Sequence, residues 1–130
     1  MTAPRQNFAS GGEWEKRFGY SRVVRVGPFV YVAGTTAPEA GDDAGAQTEK
    51  TLAKIEAALA KVGATLADVV RTRMYVVDSA RDAEAVGRAH GAVFGAIRPA
   101  STMVEVRALI APEMRVEIEA EAIVAEETRS

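Results

Sequence analysis

Strict alternation near the C-terminus limits how this chain can fold more than any other feature. Apolar and acidic residues alternate in the segment Val116-Glu117-Ile118-Glu119-Ala120-Glu121-Ala122. Successive side chains of a strand point to opposite faces, so this period of two predicts a half-buried β-strand over residues 115–124. One face of that strand belongs to a core, and the other presents three carboxylates about 7 Å apart. The chain therefore needs a sheet that is covered on one face and tolerates charge on the other.

Two segments have helical periodicity and can supply that cover. The spacing of apolar residues predicts a helix over residues 47–62, followed by Gly63 as a left-handed C-terminal cap. Its apolar positions are Leu52, Ile55, Leu59 and Val62. A second helix is predicted over residues 81–94, with Ser79 and Asp82 at capping-box spacing. Its apolar stripe contains Val86, Ala89, His90 and Val93, which indicates that His90 is a core residue rather than a catalyst.

β-branched runs and turn residues predict four more strands, at residues 21–26, 29–33, 69–77 and 102–106. Gly27-Pro28 joins the first two as a hairpin, residues 36–46 form a loop, and residues 126–130 form a polar tail. The predicted order is β-β-α-β-α-β-β within one domain, residues 1–130. Two helices on one face of a mixed sheet make an α+β fold.

Composition excludes several classes of function. The 130 residues carry a net charge of −2 and include no cysteine. The acidic balance disfavours a nucleic-acid partner, and the lack of cysteine excludes thiol nucleophiles, zinc–thiolate sites and redox chemistry. No apolar run is long enough for a signal peptide or a membrane span, so we expect a cytoplasmic protein without a membrane partner. No dinucleotide fingerprint or metal-ligand cluster is present, and we expect no cofactor and no metal.

Several segments in fixed order resemble one known family. They are Gly19-Tyr20-Ser21, residues 30–35, residues 47–63, residues 68–76, Arg98-Pro99-Ala100 and residues 116–120. Together they resemble the RidA/YjgF group, also called L-PSP endoribonuclease-like or translation-inhibitor-like proteins. The resemblance implies a chorismate-mutase-like α+β domain, assembled as a homotrimer whose sheets form a central barrel and whose small-molecule clefts lie between subunits.

The resemblance also implies an activity, the hydrolysis of enamines and imines such as 2-aminoacrylate to a keto acid and ammonia. Carried over position by position, Glu117 would position the water, Tyr20 would line the site, and Met103 would stand where a small cleft residue usually sits. Ser101 occupies the position of the family's substrate-binding Arg. A hydroxyl does not replace a bidentate guanidinium, so the substitution argues against the usual imine deaminase reaction.

Three hypotheses follow. In the first, a divergent hydrolase or deaminase uses Glu117 with a different basic anchor, for which Arg73 is the first candidate and Arg71 and Arg107 come next. In the second, the cleft is a non-catalytic binding or sensor site. In the third, which the acidic composition and single His disfavour, the protein is an endoribonuclease.

Three further sets of residues have an open role. Thr35, in Gly34-Thr35-Thr36, follows a strand and is a candidate for substrate binding through backbone N–H groups at the strand end. Trp14 either packs over a cleft or anchors the N-terminal segment. The arginines of the third strand, Arg71 and Arg73, either face the Glu side chains within one chain or pair across subunits.

Overall fold

A six-stranded mixed sheet is the frame of the computed structural model, which describes residues 4–125. The tail predicted at residues 126–130 lies outside that range. The elements are β1 (Arg5–Phe8), α1 (Glu13–Phe18), β2 (Val23–Val26), β3 (Phe29–Thr35), α2 (Ala44–Lys61), β4 (Val69–Val76), α3 (Ser79–Phe94), β5 (Ala100–Glu105) and β6 (Val116–Ile123). Short 3₁₀ turns occupy Pro38–Ala40 and Leu66–Asp68.

The sheet order is β1-β2-β3-β6-β4-β5, so the alternating strand β6 lies inside the sheet between β3 and β4. All neighbours are antiparallel except β4 and β5, which α3 connects as a parallel pair. The predicted alternation is confirmed. Val116, Ile118, Ala120 and Ala122 are buried in the core. The α+β fold with α2 and α3 on one face of a mixed sheet is also confirmed, because these apolar side chains share one cluster with Leu52, Ile55, Leu59, Val86 and Phe94.

Both long helices begin earlier than predicted because acidic side chains cap them. Asp43 accepts hydrogen bonds from the N–H groups of Gly45 and Ala46, so α2 starts inside the segment predicted as a loop. Asp78, rather than Ser79, caps α3 by accepting from the Arg81 N–H at 3.1 Å. Gly63 follows α2 with a φ of 78°, as expected of a left-handed residue after a helix.

The prediction missed two elements, β1 and α1, which precede the expected first strand. The side chains of β1 are all exposed, so the strand has no apolar pattern and forms through backbone pairing with β2. The six residues of α1 are too few for a periodic signal, and Gly19 ends the helix with a φ of 75° and an N–H that donates to the Glu15 carbonyl at 2.9 Å. These elements matter because they build one wall of the cleft beside Glu117.

No helix within residues 4–125 is long and apolar enough to cross a membrane.

Candidate functional site

A cleft of about 970 Å³ opens between α1, the β2–β3 hairpin, α2 and the start of β6. Its charged lining residues are Glu15, Arg22, Lys54, Lys61 and Glu117. Tyr20 and Thr35, both predicted site residues, also line this cleft. The fold therefore brings together Glu117, Tyr20 and Thr35 from three separate parts of the sequence.

Glu117 is a half-buried carboxyl without a partner. Among residues 4–125, none donates a hydrogen bond to its oxygens or forms an ion pair with them. Burial raises the pKa of Glu117, repulsion from Glu119 raises it further, and the positive charge of Arg22 partly opposes both. A carboxyl with a raised pKa and free lone pairs in a cleft is suited to accept and return a proton.

The Glu117 carboxyl lies directly against the backbone of Gly34. A Cβ atom added at Gly34 would lie 2.0 Å from Glu117 Oε2, whereas real Cβ atoms essentially never lie within 3.0 Å of such a neighbour. A register shift between Val32 and Thr35 in the β3–β6 pairing places Gly34 here. The Glu117 carboxyl can therefore occupy this place only because residue 34 has no side chain.

Arg22 is immobilised on the other side of Gly34. Its Nη1 donates to the Gly34 carbonyl at 2.7 Å and to Thr35 Oγ1 at 3.1 Å, and Thr35 Oγ1 donates to the Ala33 carbonyl at 2.8 Å. The guanidinium also lies 5.8 Å from the ring centroid of Tyr20. The hydroxyl of Thr35 thus serves to hold Arg22 within the chain.

Glu15 is the buried partner of Arg22. It is only 4% exposed, and its Oε2 lies 3.7 Å from Arg22 Nε. Its carboxylate accepts hydrogen bonds from the Ser10 backbone N–H at 2.8 Å and from the Ser10 hydroxyl. Burial acts to raise the pKa of Glu15, but the two hydrogen bonds from Ser10 and the charge of Arg22 outweigh burial and lower it. Glu15 is accordingly a buried negative charge behind Arg22.

Aromatic side chains of α1 form the outer wall of the cleft. Trp14 and Phe18 stack with ring centroids 5.2 Å apart, and Arg17 lies 5.1 Å from the Trp14 centroid. Trp14 and Phe18 are 41% and 62% exposed. Of the two roles considered for Trp14, the structure places it in the cleft lining.

Arg73 lies on the same sheet face as Glu117 but belongs to a separate network. It forms ion pairs with Glu119 at 3.4 Å and Glu121 at 3.0 Å, and Tyr75 donates its hydroxyl proton to Glu119 at 2.9 Å. Arg71 lies 3.7 Å from Glu121. The arginines of β4 therefore face the carboxylates of β6 within one chain, and Arg73 is outside the cleft lining of Glu117.

Ser101 and Met103 lie on the other face of the sheet, the face that α2 and α3 cover. β5 pairs Ser101 with Thr72 and Met103 with Met74, and both of these partners are buried beneath the helices. Thr72 Oγ1 donates to Ser101 Oγ at 2.8 Å and is joined to His90 Nε2 by a hydrogen bond of 2.9 Å. Burial lowers the pKa of His90, which favours the neutral imidazole. Within one chain these residues do not meet Glu117.

Sequence reasoning missed Arg22, which is bonded to the Gly34 carbonyl, and Glu15, which is paired with Arg22. Neither stands in a motif, and no periodicity marks Glu15 as buried, because its burial depends on α1 folding against Ser10 and Arg22.

No three His, Asp or Glu side chains in the described part of the chain converge as a metal site.

The sheet order, the two covering helices and a cleft beside the start of β6 define the class of YjgF-like α+β proteins. The chain belongs to the endoribonuclease L-PSP family, the RidA/YjgF group, because the family model matches residues 13–124. It is 57% identical to Rv2704 of Mycobacterium tuberculosis, a member of the YjgF/YER057c/UK114 family, with a TM-score of 0.89 over 93% of this chain and 100% of that one.

Two further relatives cover most of the chain. NMB1025 of Neisseria meningitidis, a YjgF family member, is 30% identical with a TM-score of 0.80 over 96% of this chain and 98% of that one. An uncharacterised protein of Streptomyces coelicolor is 40% identical over 119 residues, which is 87% of either chain.

Proposed function

We propose that this protein hydrolyses an imine-like bond of a small metabolite, using Glu117 to activate water. The observation that carries the proposal is the Glu117 carboxyl itself, which is held against Gly34 in the cleft with a raised pKa and without a partner among residues 4–125. A buried carboxyl without a partner is unfavourable for folding, and a reacting water or substrate would satisfy it.

The proposed reaction needs only water and one carboxylate. Glu117 takes a proton from water as the oxygen bonds to the imine carbon, the π pair of the C=N bond moves to nitrogen, and Glu117 passes the proton to that nitrogen to give a carbinolamine. Glu117 then takes the hydroxyl proton as the carbonyl forms and the C–N bond breaks, and it passes this proton to the leaving nitrogen, which departs as ammonia. The balance is one imine and one water to one carbonyl compound and one ammonia. A pKa raised toward neutral pH suits a group that both accepts and donates.

The cleft cations offer the substrate an anchor in place of the family Arg. Arg22, Lys54 and Lys61 line the Glu117 cleft, whereas Arg73 is occupied by Glu119 and Glu121. Lys54 is itself paired with Glu39 at 2.5 Å and donates to the Thr36 carbonyl at 2.8 Å. We therefore place Arg22 ahead of Arg73 as the basic residue of the site.

We further propose a homotrimer in which neighbouring copies complete the cleft. Two features support it. β5 is an edge strand with exposed backbone and side chains, and the sheet face opposite α2 and α3 exposes Phe29, Tyr31 and Val104. In such an assembly a neighbour's β5 could bring Ser101 to the rim of a Glu117 cleft that Ser101 does not reach within its own chain.

The test is ammonia release from small enamines and imines, such as 2-aminoacrylate, measured against the uncatalysed rate of hydrolysis. We expect Glu117→Gln to lower kcat/KM by roughly 10²- to 10⁴-fold, the contribution of a general base. Glu56→Gln is the matched control, because Glu56 is exposed on α2 away from the cleft. Equal rates for wild type and Glu117→Gln on every imine that is turned over would refute the role of Glu117.

The second candidate function is non-catalytic binding of a small ligand. The observation that favours it is Ser101, whose hydroxyl is tied to Thr72 and supplies no positive charge where the family has Arg. Saturable binding of a small molecule without turnover, lost in Glu117→Gln, would support this candidate over hydrolysis. Cleavage of RNA that is abolished by a cleft substitution would instead revive the endoribonuclease activity that the family name describes.

A further inference from the structure

Glu117 has on one side a pair of opposite charges, Arg22 and Glu15, of which the hydrolysis scheme uses only Arg22, as an anchor for the substrate. Arg22 is bonded to the Gly34 carbonyl and to Thr35, and the buried carboxylate of Glu15 lies behind it, 3.7 Å from Nε. The side chain of Arg22 is 19% exposed and that of Glu15 is 4% exposed. Both groups are therefore partly or wholly removed from solvent. Charges that are removed from solvent act over several ångströms with little screening.

We propose that Arg22 and Glu15 are positioning residues for Glu117: Arg22 holds the Gly34 backbone against the Glu117 carboxyl and sets the charge beside it, and Glu15 limits that charge. The inference rests on the proposed function of Glu117.

The geometry supports this role in two ways. Arg22 Nη1 donates to the carbonyl of the same residue whose Cα is in contact with the Glu117 carboxyl, so movement of Arg22 shifts the surface on which Glu117 rests. The sign of the charges also matters. An Arg without a counter-ion next to Glu117 would hold that carboxyl ionised, whereas an Arg neutralised by Glu15 leaves burial as the dominant influence.

The other charged or titratable groups around Glu117 are few and have known positions. Glu119 lies on the same strand, and Tyr75 pairs with Glu117 in the β4–β6 register. Tyr20, together with Lys54 and Lys61 of α2, lines the same cleft. A test must therefore change Arg22 and Glu15 while leaving these five groups intact.

The experiment is an NMR titration of the Glu117 side-chain carboxyl carbon in the full-length protein, assigned by its loss in Glu117→Gln. We expect Arg22→Gln to shift the Glu117 titration to higher pH, because a positive charge is removed. Arg22→Lys, which keeps the charge, should titrate near the wild type. Glu15→Gln should shift the titration to lower pH, because the charge of Arg22 is then no longer offset.

The Arg22→Gln result separates this role from a merely structural one. If Arg22 only braced the hairpin, its loss would loosen the site, admit water to Glu117 and shift the titration to lower pH. A downward or absent shift in Arg22→Gln overturns the proposal. Arg22→Met keeps the apolar stem beside Tyr20 and carries the same expectation if the Gln variant does not fold. Arg22→Lys is also expected to restore most of any activity lost in Arg22→Gln.

The titration does not depend on turnover, so its outcome is distinct from that of the proposed function. If the protein hydrolyses no imine but Arg22→Gln still shifts the Glu117 titration upward, the effect of Arg22 on the Glu117 pKa is supported and the proposed hydrolysis is rejected. Where turnover is measured, the acidic limb of the kcat/KM pH profile should move in the same direction as the titration in each variant.

Discussion

Substitution of Gly34 by Ala gives a sharp test of whether the position of the Glu117 carboxyl matters. The added Cβ would lie 2.0 Å from Glu117 Oε2, 3.0 Å from its Cδ and 3.3 Å from its Cγ, while real Cβ contacts stay at or beyond 3.0 Å. The carboxyl must therefore retreat by about 1 Å or more, the difference between 3.0 and 2.0 Å. The closest clashing atom is the end of a flexible side chain, so Glu117 should rotate into the cleft while the backbone stays in place.

The expected costs for folding and for activity are different. Gly34 lies outside the left-handed region and Glu117 loses no hydrogen bond, so the free energy of unfolding should change by less than about 1 kcal/mol. A displacement of 1 Å in a reacting group costs about 100-fold in rate, so kcat/KM for imine hydrolysis should fall by about that factor, or about 2.7 kcal/mol of barrier. The pKa of Glu117 should fall toward its ordinary value as the carboxyl becomes solvated.

The assays are ammonia release, chemical denaturation and the carboxyl titration of Glu117. Gly91→Ala is the matched control, because a Cβ added at Gly91 in α3 meets nothing within 4 Å and should stabilise the helix by up to about 1 kcal/mol without changing activity. Wild-type kcat/KM and an unchanged Glu117 titration in folded Gly34→Ala would refute the reasoning. A loss of more than about 3 kcal/mol in stability would show that the backbone, rather than the side chain, had yielded.

The remaining predictions concern pH, the buried hydroxyl of β4 and assembly. Because the folded pKa of Glu117 is raised, its ionisation weakens the fold as pH rises through that pKa, so Glu117→Gln should unfold at a higher temperature than wild type at pH 8 and at the same temperature at pH 3. The folded pKa of Glu15 is lowered, so its contribution is present at neutral pH and lost as pH falls through that pKa. Glu15→Gln should be about 1 kcal/mol less stable than wild type at pH 7, with a smaller difference under strongly acidic conditions; an equal deficit at both pH values would contradict this. Thr72→Val removes the hydroxyl that joins His90 to Ser101 and should cost about 1–3 kcal/mol in urea denaturation, while Thr72→Ser should retain most of the stability. Sedimentation equilibrium should give the mass of a trimer, and a monomer at micromolar concentration would reject the intersubunit cleft.

The alternation in β6 and the periodicity of α2 and α3 were sufficient to predict a sheet covered on one face, the two helices that cover it and the face that carries Glu117. These patterns are readable because burial of one side of a strand or helix is a local property with a fixed period. The helix starts were predicted less well, since Asp43 and Asp78 act through single side-chain hydrogen bonds that interrupt no pattern.

The sequence by itself determined the α+β class, the family and the candidate residues Glu117 and Tyr20. The tertiary structure decided which groups meet. It paired Arg73 with Glu119 and Glu121 and put Ser101 on the helix-covered face. It also bonded Arg22 to Gly34 beside Glu117, with Glu15 behind Arg22. The physical reason is that burial of a charge and its choice of partner depend on contacts between residues far apart in the chain, which no local period encodes.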